Sequence, residues 1–486
     1  MSRIPWPMFC GGSNISQSSI ADGQDTVNYY PEPRQVVGGK TPINLYPTPG
    51  VEARLTPVET PGRGFFHKSG RAFAVIGGVV YELLEAGDGT LSLVNRGAVA
   101  VDANPATICG GDDGSGQLFI TSGDVGYSLD LDTNTLTVER ASGNTMCAWI
   151  DGYFLVLDSS TSTFFVSDLL DCTTWDPTQF AQRSTAPDRW VALIVPKSAR
   201  EIWLLGEETS EVWNNAGTYP FPFVPIPGAL LAHGCAAPFS AKEILGGILW
   251  VSQTADGHGE VVLVNGGAPQ PASTNAVAWA IHNYATIDDA IGSSYSAAGH
   301  TFYLLTFPTQ DVTWALDLTT QMWARRGTWV SGSNAYVAWR PRYHVHAFGR
   351  HLALDSTTGT IYEVSETYGY DVDGLPIRRV RRTPSVFNDR EPIGLDCVEV
   401  LLESGVSTYA GRGADSVMSM RLSKDGGKTW GSERTRSIGQ IWDYSKRVRW
   451  WRCGSGEDLV GEFVVTDPVP FRIMGATITV RDHGGA

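Results

Sequence analysis

The stretch YSLDLDTNTL, residues 127–136, contains the pattern that decides the fold. Its first half alternates apolar and polar residues, as a half-buried β-strand does. Asp130 then ends the strand, because its carboxylate can accept N–H groups of a turn, and Thr133 can do the same more weakly. The pattern Leu-Asp-x-x-Thr-x-x-apolar recurs three times, with aspartates at Asp158, Asp317 and Asp355. Four copies favour turn structure over metal or acid–base chemistry, and they predict hairpins between outer strands of repeated β units.

Around these copies, residues 61–370 consist of short alternating apolar runs separated by Gly or Asp turns. Examples are Arg71–Leu84, Gln117–Leu131 and Thr301–Phe307. Successive runs start about 35 to 55 residues apart, which is the size of one four-stranded propeller blade. Helical periodicity is almost missing. The sequence therefore predicts an all-β protein whose residues 61–370 form a β-propeller of six to eight blades.

The two flanking regions differ from this repeat. Residues 1–60 are rich in proline and have few strand signals, so we expect an extended arm packed over another surface. Residues 371–486 contain strands such as Leu395–Leu402 and Arg447–Cys453 at a different spacing. They predict a C-terminal β-sandwich-like region, although some of these strands could instead close the propeller ring.

Composition excludes several classes of protein. The chain has 486 residues, 42% hydrophobic, and a net charge of −15. Disorder is therefore excluded. Residues 1–370 hold 35 acids and 19 bases, whereas residues 371–486 hold 16 acids and 17 bases. Tight non-specific DNA binding is not expected of the acidic part, because phosphates require lysine and arginine. No apolar run approaches the roughly 18 residues of a membrane span, and the N-terminus lacks a signal peptide, so we expect synthesis in the cytoplasm.

A second motif lies in the C-terminal region, where residues 423–430 fit S-x-D-x-G-x-T-W, the Asp-box hairpin of sialidases and other propellers. Its members are Ser423, Asp425, Gly427, Thr429 and Trp430. The motif predicts a β-hairpin and says little about activity. Sialidases also carry F/Y-R-I-P before several boxes, whereas Phe471–Met474, FRIM, follows the single box and lacks the proline. No pair of carboxylates can be placed for glycoside hydrolysis.

Other candidate sites have a structural alternative. His344, His346 and His351 could bind a metal, but a hydrogen-bonded strand face is favoured. The seven cysteines are widely spaced and predict neither a disulfide framework nor a zinc site. We therefore predict no catalytic residue, no cofactor and no metal, and we do not expect an enzyme.

Four arginines form the densest basic run, Arg378, Arg379, Arg381 and Arg382. Guanidinium groups suit ion pairs across protein interfaces because they are planar and multidentate. They would also discourage aggregation on a solvated edge strand. A third reading places them around a DNA channel, and all three stay open at this point.

Four stretches resemble the tail nozzle proteins of short-tailed bacteriophages, also called packaged-DNA stabilisation or tail accessory factors. The first runs from Gly11-Gly12-Ser13 through Ser16 to Ser19 and Ala21-Asp22-Gly23-Gln24 to Val27–Glu32 and Pro47–Gly50; the second from Glu211-Val212-Trp213 to Gly234-Cys235-Ala236; the third from Gly257-His258-Gly259 to Ser273-Thr274; and the fourth from Gly299 to Trp323. Together they cover most of residues 10 to 330, and past Tyr370 the resemblance rests mainly on the Asp-box hairpin.

The resemblance implies a structural virion protein of the phage tail, made in the host cytoplasm. It implies a homo-hexameric ring that docks under an adaptor or head-to-tail connector and is closed by a needle or plug protein. Tail fibres or tailspikes are further implied partners. Double-stranded DNA would pass through without sequence-specific binding, and an acidic bore would let it slide. The alternative is a propeller-type tail protein that binds or hydrolyses carbohydrate.

Overall fold

The computed structural model describes residues 2–481 except 16, 19, 22, 36–40, 112–114, 198–199, 256 and 390. Ser16, Ser19 and Asp22 of the first family-like stretch therefore lie outside the described residues. The described chain is built almost entirely of β-strands, with one α-helix, α1, at Asn275–His282. Thr274 caps this helix by accepting a hydrogen bond from the amide of Val277. Nowhere in the described residues is there a helix long and apolar enough to span a bilayer.

Five strands precede the propeller repeat. They are β1 Ser2–Pro5, β2 Asp25–Val27, β3 Tyr29–Pro33, β4 Ile43–Pro47 and β5 Gly50–Leu55.

The propeller has seven blades of four-stranded antiparallel type, within the predicted range of six to eight. Blade 1 consists of β6 Gly62–Lys68, β7 Arg71–Ile76, β8 Val79–Glu85 and β9 Leu91–Ala98. Blade 2 consists of β10 Thr107–Cys109, β11 Gln117–Ser122, β12 Val125–Asp130 and β13 Thr135–Arg140. Blade 3 consists of β14 Met146–Ile150, β15 Tyr153–Asp158, β16 Thr163–Val166 and β17 Phe180–Gln182. Blade 4 consists of β18 Trp190–Ile194, β19 Glu201–Gly206, β20 Ser210–Asn215 and β21 Phe223–Leu231. Blade 5 consists of β22 Gly234–Cys235, β23 Lys242–Ile244, β24 Gly247–Thr254, β25 Gly257–Val264 and β26 Gln270–Pro271. In blade 5 the two short strands β22 and β23 both pair with β24. Blade 6 consists of β27 Ile291–Ala297, β28 His300–Phe307, β29 Val312–Asp317 and β30 Met322–Val330, and it is followed by β31 Ala335–Ala338. Blade 7 consists of β32 Pro341–Ala347, β33 Arg350–Asp355 and β34 Ile361–Ser365 together with β5.

The N-terminal strand β5 closes the ring. It pairs antiparallel with β34, with Val51 opposite Val364 and Glu52 opposite Glu363, and it supplies the outermost strand of blade 7. Arg54 on β5 forms a 2.8 Å ion pair with Glu363. The alternative in which C-terminal strands close the ring is therefore wrong, and residues 50–55 belong to the propeller and not to an arm.

The remaining N-terminal strands belong to a C-terminal sandwich. Its other strands are β35 Arg379–Arg382, β36 Val386–Phe387, β37 Ile393–Leu402, β38 Val417–Ser423, β39 Arg434–Ser437, β40 Val448–Gly456, β41 Asp458–Val465 and β42 Ile473–Arg481. One sheet has the order β3-β4-β42-β37-β40, with β1 also on β42, and the other has the order β2-β35-β41-β38-β39. The second sheet is continuous with blade 6, because Val27 of β2 pairs in parallel with Arg325 of β30.

The apolar core is divided in the same way. Between blades 3 and 4, Phe164 packs against Trp190 and Trp213 with ring centroids 5.9 and 5.4 Å apart. Inside the sandwich, the N-terminal Trp6 and Phe9 each pack edge-on against Phe463, at 6.0 and 5.0 Å. The sandwich core therefore depends on side chains from both ends of the chain.

Candidate functional site

The four repeated aspartates lie in hairpin turns. Asp130 accepts the amides of Asp132 and Thr133, at 2.9 and 2.7 Å. The same type of turn forms at Asp158, Asp317 and Asp355. Asp130 and Asp317 connect the third and fourth strands of their blades, as predicted. Asp158 and Asp355 connect the second and third strands instead, at the opposite end of the blade. The hydrogen bonds within the turn are of the same type whichever pair of strands the turn joins. The sequence motif therefore could not show whether a turn joins the second and third or the third and fourth strand.

The Asp-box residues form the turn between β38 and β39 of the sandwich, outside the propeller. Asp425 accepts the amides of Lys428 and Thr429 and the Thr429 hydroxyl, at 3.0, 2.8 and 2.6 Å. Ser423 donates to the same carboxylate and accepts the amide of Gly427, whose φ of 92° is one that glycine adopts without strain. The side chain of Trp430 lies under the guanidinium groups of Arg382 and Arg421, at 5.1 and 5.2 Å. These contacts hold the hairpin together.

Asp425→Ala should lower the free energy of unfolding at pH 7. Hydrogen bonds from Thr429 hold the pKa of Asp425 well below its usual range. A carboxylate with a depressed folded-state pKa stabilises the fold above its unfolded pKa, about 3.9, and this contribution is lost as the pH falls. The difference between wild type and variant in denaturant unfolding should therefore shrink below about pH 4. Glu433→Ala, an exposed substitution in the same β38–β39 connection, serves as the control; an equal effect of both variants would contradict this role.

The arginine run serves contacts within the chain. Arg379 and Arg381 are buried, at 2% and 0% exposure, so neither lines a channel or faces another subunit. Arg378 stacks over Trp329 at 3.9 Å, and Arg382 forms a 2.9 Å ion pair with Glu462. The interface and channel readings are therefore wrong for Arg379 and Arg381. Because side chains point alternately to the two sides of β35, those of Arg379 and Arg381 both point into the fold. The charge of the run gave no indication of their burial.

The histidines contact one another. Nδ1 of His344 lies 3.0 Å from Nε2 of His351, and the ring of His346 stacks on that of His351 at 4.8 Å. Burial lowers the pKa of His351 to about 3, so this imidazole is neutral at pH 7. No group of three His, Cys, Asp or Glu side chains suited to a metal ion occurs among the described residues.

A surface that the sequence analysis did not single out lies on the sandwich. Trp442, Tyr444 and Trp451 are 66%, 73% and 55% exposed. Trp442 and Tyr444 lie in the turn before β40, and Trp451 lies on the outer side of that strand. Aromatic side chains are enriched at the energetic centres of protein interfaces. The signal was present in the adjacent Trp450 and Trp451, because successive strand residues point to opposite sides of a sheet.

Arginines lie beside Trp451 in the sheet, and Arg447 follows Trp442 and Tyr444 in the turn before β40. Arg3, Arg447 and Arg449 all form ion pairs with the single carboxylate of Glu399, at 3.0, 2.6 and 3.0 Å. At the edge of β40, Arg434 and Arg436 donate to the carbonyl oxygens of Trp451 and Arg449. We call this surface the aromatic–arginine face, and it consists of Arg3, Glu399, Arg434, Arg436, Trp442, Tyr444, Arg447, Arg449 and Trp451. It is net basic, whereas residues 1–370 are strongly acidic.

A central channel passes through the propeller. Its wall contains residues of the innermost strand region of all seven blades, and its cavity has a volume of about 700 Å³. This volume lies within the range of small-molecule pockets, about 300 to 1,000 Å³. The channel of one propeller is therefore far too narrow for a DNA duplex.

Two family models match the chain. The model described as "Bacteriophage P22 Gp10, beta-propeller" matches residues 14–369, and the model described as "Bacteriophage P22 Gp10, beta-sandwich" matches residues 378–481. No curated protein matches the chain significantly.

Among solved structures, the N-terminal domain of Nup159 is 10% identical, with a TM-score of 0.41 over 73% of this chain and 99% of that chain. The β-propeller domain of Cps50 (Swd1) from Myceliophteria thermophila is 9% identical, with a TM-score of 0.41 over 65% of this chain and 99% of that chain.

Proposed function

The chain belongs to the bacteriophage P22 Gp10 family, a family of phage tail proteins, and from this premise we propose that it is a structural subunit of the tail nozzle. In this proposal copies of the chain form a ring, expected to be hexameric, through which the phage DNA is ejected. An adaptor protein holds the ring on one side, and a needle or plug protein closes it after packaging. The protein makes and breaks no bond.

The observation that carries the proposal is the aromatic–arginine face. A closed ring of identical subunits requires two different surfaces that fit each other. Exposed tryptophan and tyrosine beside arginine have the composition of interface centres. The face is basic and the propeller is acidic, so contact between the face of one copy and the propeller of the next would be electrostatically complementary.

The proposed ring also provides a path for the DNA. The channel of one propeller cannot admit a duplex, so the conduit in this proposal is the opening that the ring encloses. The acidic propellers would line or flank it and would repel phosphate groups, which allows DNA to slide. Retention of packaged DNA then depends on the plug that blocks the opening.

Combined Trp442→Ala and Trp451→Ala substitutions should prevent ring assembly while leaving the subunit folded. Both side chains are exposed, so their removal should change the free energy of unfolding by at most about 0.5 kcal/mol each. Central interface tryptophans contribute about 2 kcal/mol or more each, which predicts at least a hundredfold weaker association. Sedimentation velocity and negative-stain microscopy, with and without the adaptor protein, measure the assembly.

Tyr219→Ala is the matched control, because Tyr219 is an aromatic residue 95% exposed on the propeller. It should assemble as the wild type does. Rings formed equally well by the double tryptophan variant would exclude the aromatic–arginine face as the contact. A wild-type chain that stays monomeric with every tail component present would exclude the nozzle itself.

A cleft between the propeller and the sandwich favours the alternative, a carbohydrate-binding tail protein. The cleft has a volume of about 810 Å³, and Tyr362, Tyr368 and Tyr370 line it together with Glu52 and Asp373. Aromatic rings that pack against sugar faces and carboxylates that accept from hydroxyls are a suitable combination for a glycan. Incubation with host glycan distinguishes the two functions: retention on immobilised glycan, or release of reducing sugar, that is lost in Tyr368→Ala would support the alternative.

A further inference from the structure

The central channel of the propeller contains two lysines in an otherwise acidic body. Two of the seven lysines of the chain, Lys197 and Lys242, lie in its wall. His67, His344 and His346 also line it, and Glu243 is the one carboxylate among the described lining residues. Residues 1–370 have nearly twice as many acids as bases, so the channel inverts the charge of the surrounding domain.

The ammonium of Lys242 has Glu243 as its anionic neighbour and Lys197 as its cationic neighbour. Among the described residues that line the channel, Glu243 is therefore one carboxylate against two lysines. Lys242 is exposed to the channel, yet protein surrounds it closely enough that burial lowers the pKa of its ammonium. Attraction by Glu243 raises this pKa, whereas repulsion by Lys197 lowers it, and Lys242 in turn disfavours the charged form of His344.

Two ammonium groups with one carboxylate between them in one channel leave an excess positive charge. Charged groups in a channel with low-dielectric walls interact more strongly than groups in bulk water, and an excess charge there favours the binding of a counter-ion. A concave wall that carries several charges of one sign concentrates ions of the opposite sign. Oxyanions suit this wall, because their oxygens accept hydrogen bonds from ammonium and imidazole N–H groups together.

We propose that the central channel is a binding site for a small multivalent oxyanion of the phosphate type, held by Lys242 and Lys197. The cavity of about 700 Å³ has room for phosphate, pyrophosphate or a small phosphate ester. His344 and His346 face the same space from blade 7 and would contribute N–H donors. The site lies within one subunit, so it does not depend on ring assembly or on the proposed nozzle function.

Isothermal titration calorimetry with inorganic pyrophosphate tests the proposal on the full chain, with ionic strength held constant by potassium chloride. We expect one pyrophosphate bound per chain. Lys242→Met should weaken binding at least about tenfold, because a charge-assisted hydrogen bond is lost. Lys197→Met should weaken it in the same direction, because the second ammonium of the channel is lost.

Lys446→Met is the matched control, because Lys446 is exposed on the sandwich outside the channel. It should bind pyrophosphate as the wild type does. Melting curves without ligand establish that each variant is folded before its affinity is compared. Absence of binding to the wild type, or equal affinities of the folded wild type and both channel lysine variants, would overturn the proposal.

Discussion

Deletion of residues 1–60 should abolish the native fold of both domains. The propeller would lose β5, the strand that closes blade 7 on β34. The sandwich would lose β2, β3 and β4 together with the buried rings of Trp6, Phe9 and Tyr29. Truncation of a single buried aromatic residue typically costs about 3 to 5 kcal/mol. Three such losses reach or exceed the whole stability of an ordinary domain, about 5 to 15 kcal/mol.

Circular dichroism, thermal melting and limited proteolysis of the purified truncation measure this effect. Deletion of residues 1–5 is the control, because it removes only β1, whose four residues are all exposed at the edge of β42. The short deletion should melt as a cooperative folded protein, and the long deletion should not. A long deletion that still melts cooperatively with a protease-resistant propeller would restore the arm interpretation of this region.

The failure to predict these N-terminal strands has a physical cause. The blades are made of hairpins, so each strand has its partner and its turn residues nearby in the sequence, as Asp130 and Thr133 do. The strand β5 has its partner about 300 residues away, and nothing local marks the pairing of Val51 with Val364. Prolines are spread through residues 1–60, and they favoured an extended conformation more strongly than any local pattern favoured strands. The overall propeller and sandwich architecture was nevertheless predictable, and the family models confirm it.

The candidate sites also differ in how well the sequence predicts them, because some depend on local bonds and others on distant contacts. The turns at the repeated aspartates and the Asp box depend on bonds within a few residues, and the sequence shows these directly. The burial of the arginine run depends on contacts between residues some 370 positions apart, such as Arg381 with Phe9. Charge alone suggested a surface role, because a buried guanidinium is uncommon unless the chain supplies acceptors for it. Those acceptors come from a segment without any pattern that predicts them.

Arg381→Met should destabilise the chain by about 3 to 5 kcal/mol, as the breaking of a buried charge network does. The guanidinium donates to the carbonyl oxygens of Phe9 and Gly11, at 2.5 and 3.2 Å, and also to the carbonyl oxygens of Met8 and Gly12. It donates further to the side chains of Thr26 and Gln24, at 2.8 and 2.6 Å. Burial lowers the pKa of Arg381 to about 10, so the group is still charged at pH 7.

Arg379→Met is the control for this substitution, because Arg379 lies two residues away on the same strand and is equally buried. Among the described residues its guanidinium makes one hydrogen bond, to the carbonyl oxygen of Asp467 at 3.3 Å. Replacement of a poorly compensated buried cation by a hydrophobic residue is often neutral or stabilising. Denaturant unfolding should therefore place the Arg381 variant several kcal/mol below the Arg379 variant, and limited proteolysis should cleave the Arg381 variant first near residues 8–12. Equal losses in both variants would mean that burial of charge, and not the clamp on the N-terminal carbonyl groups, determines the effect.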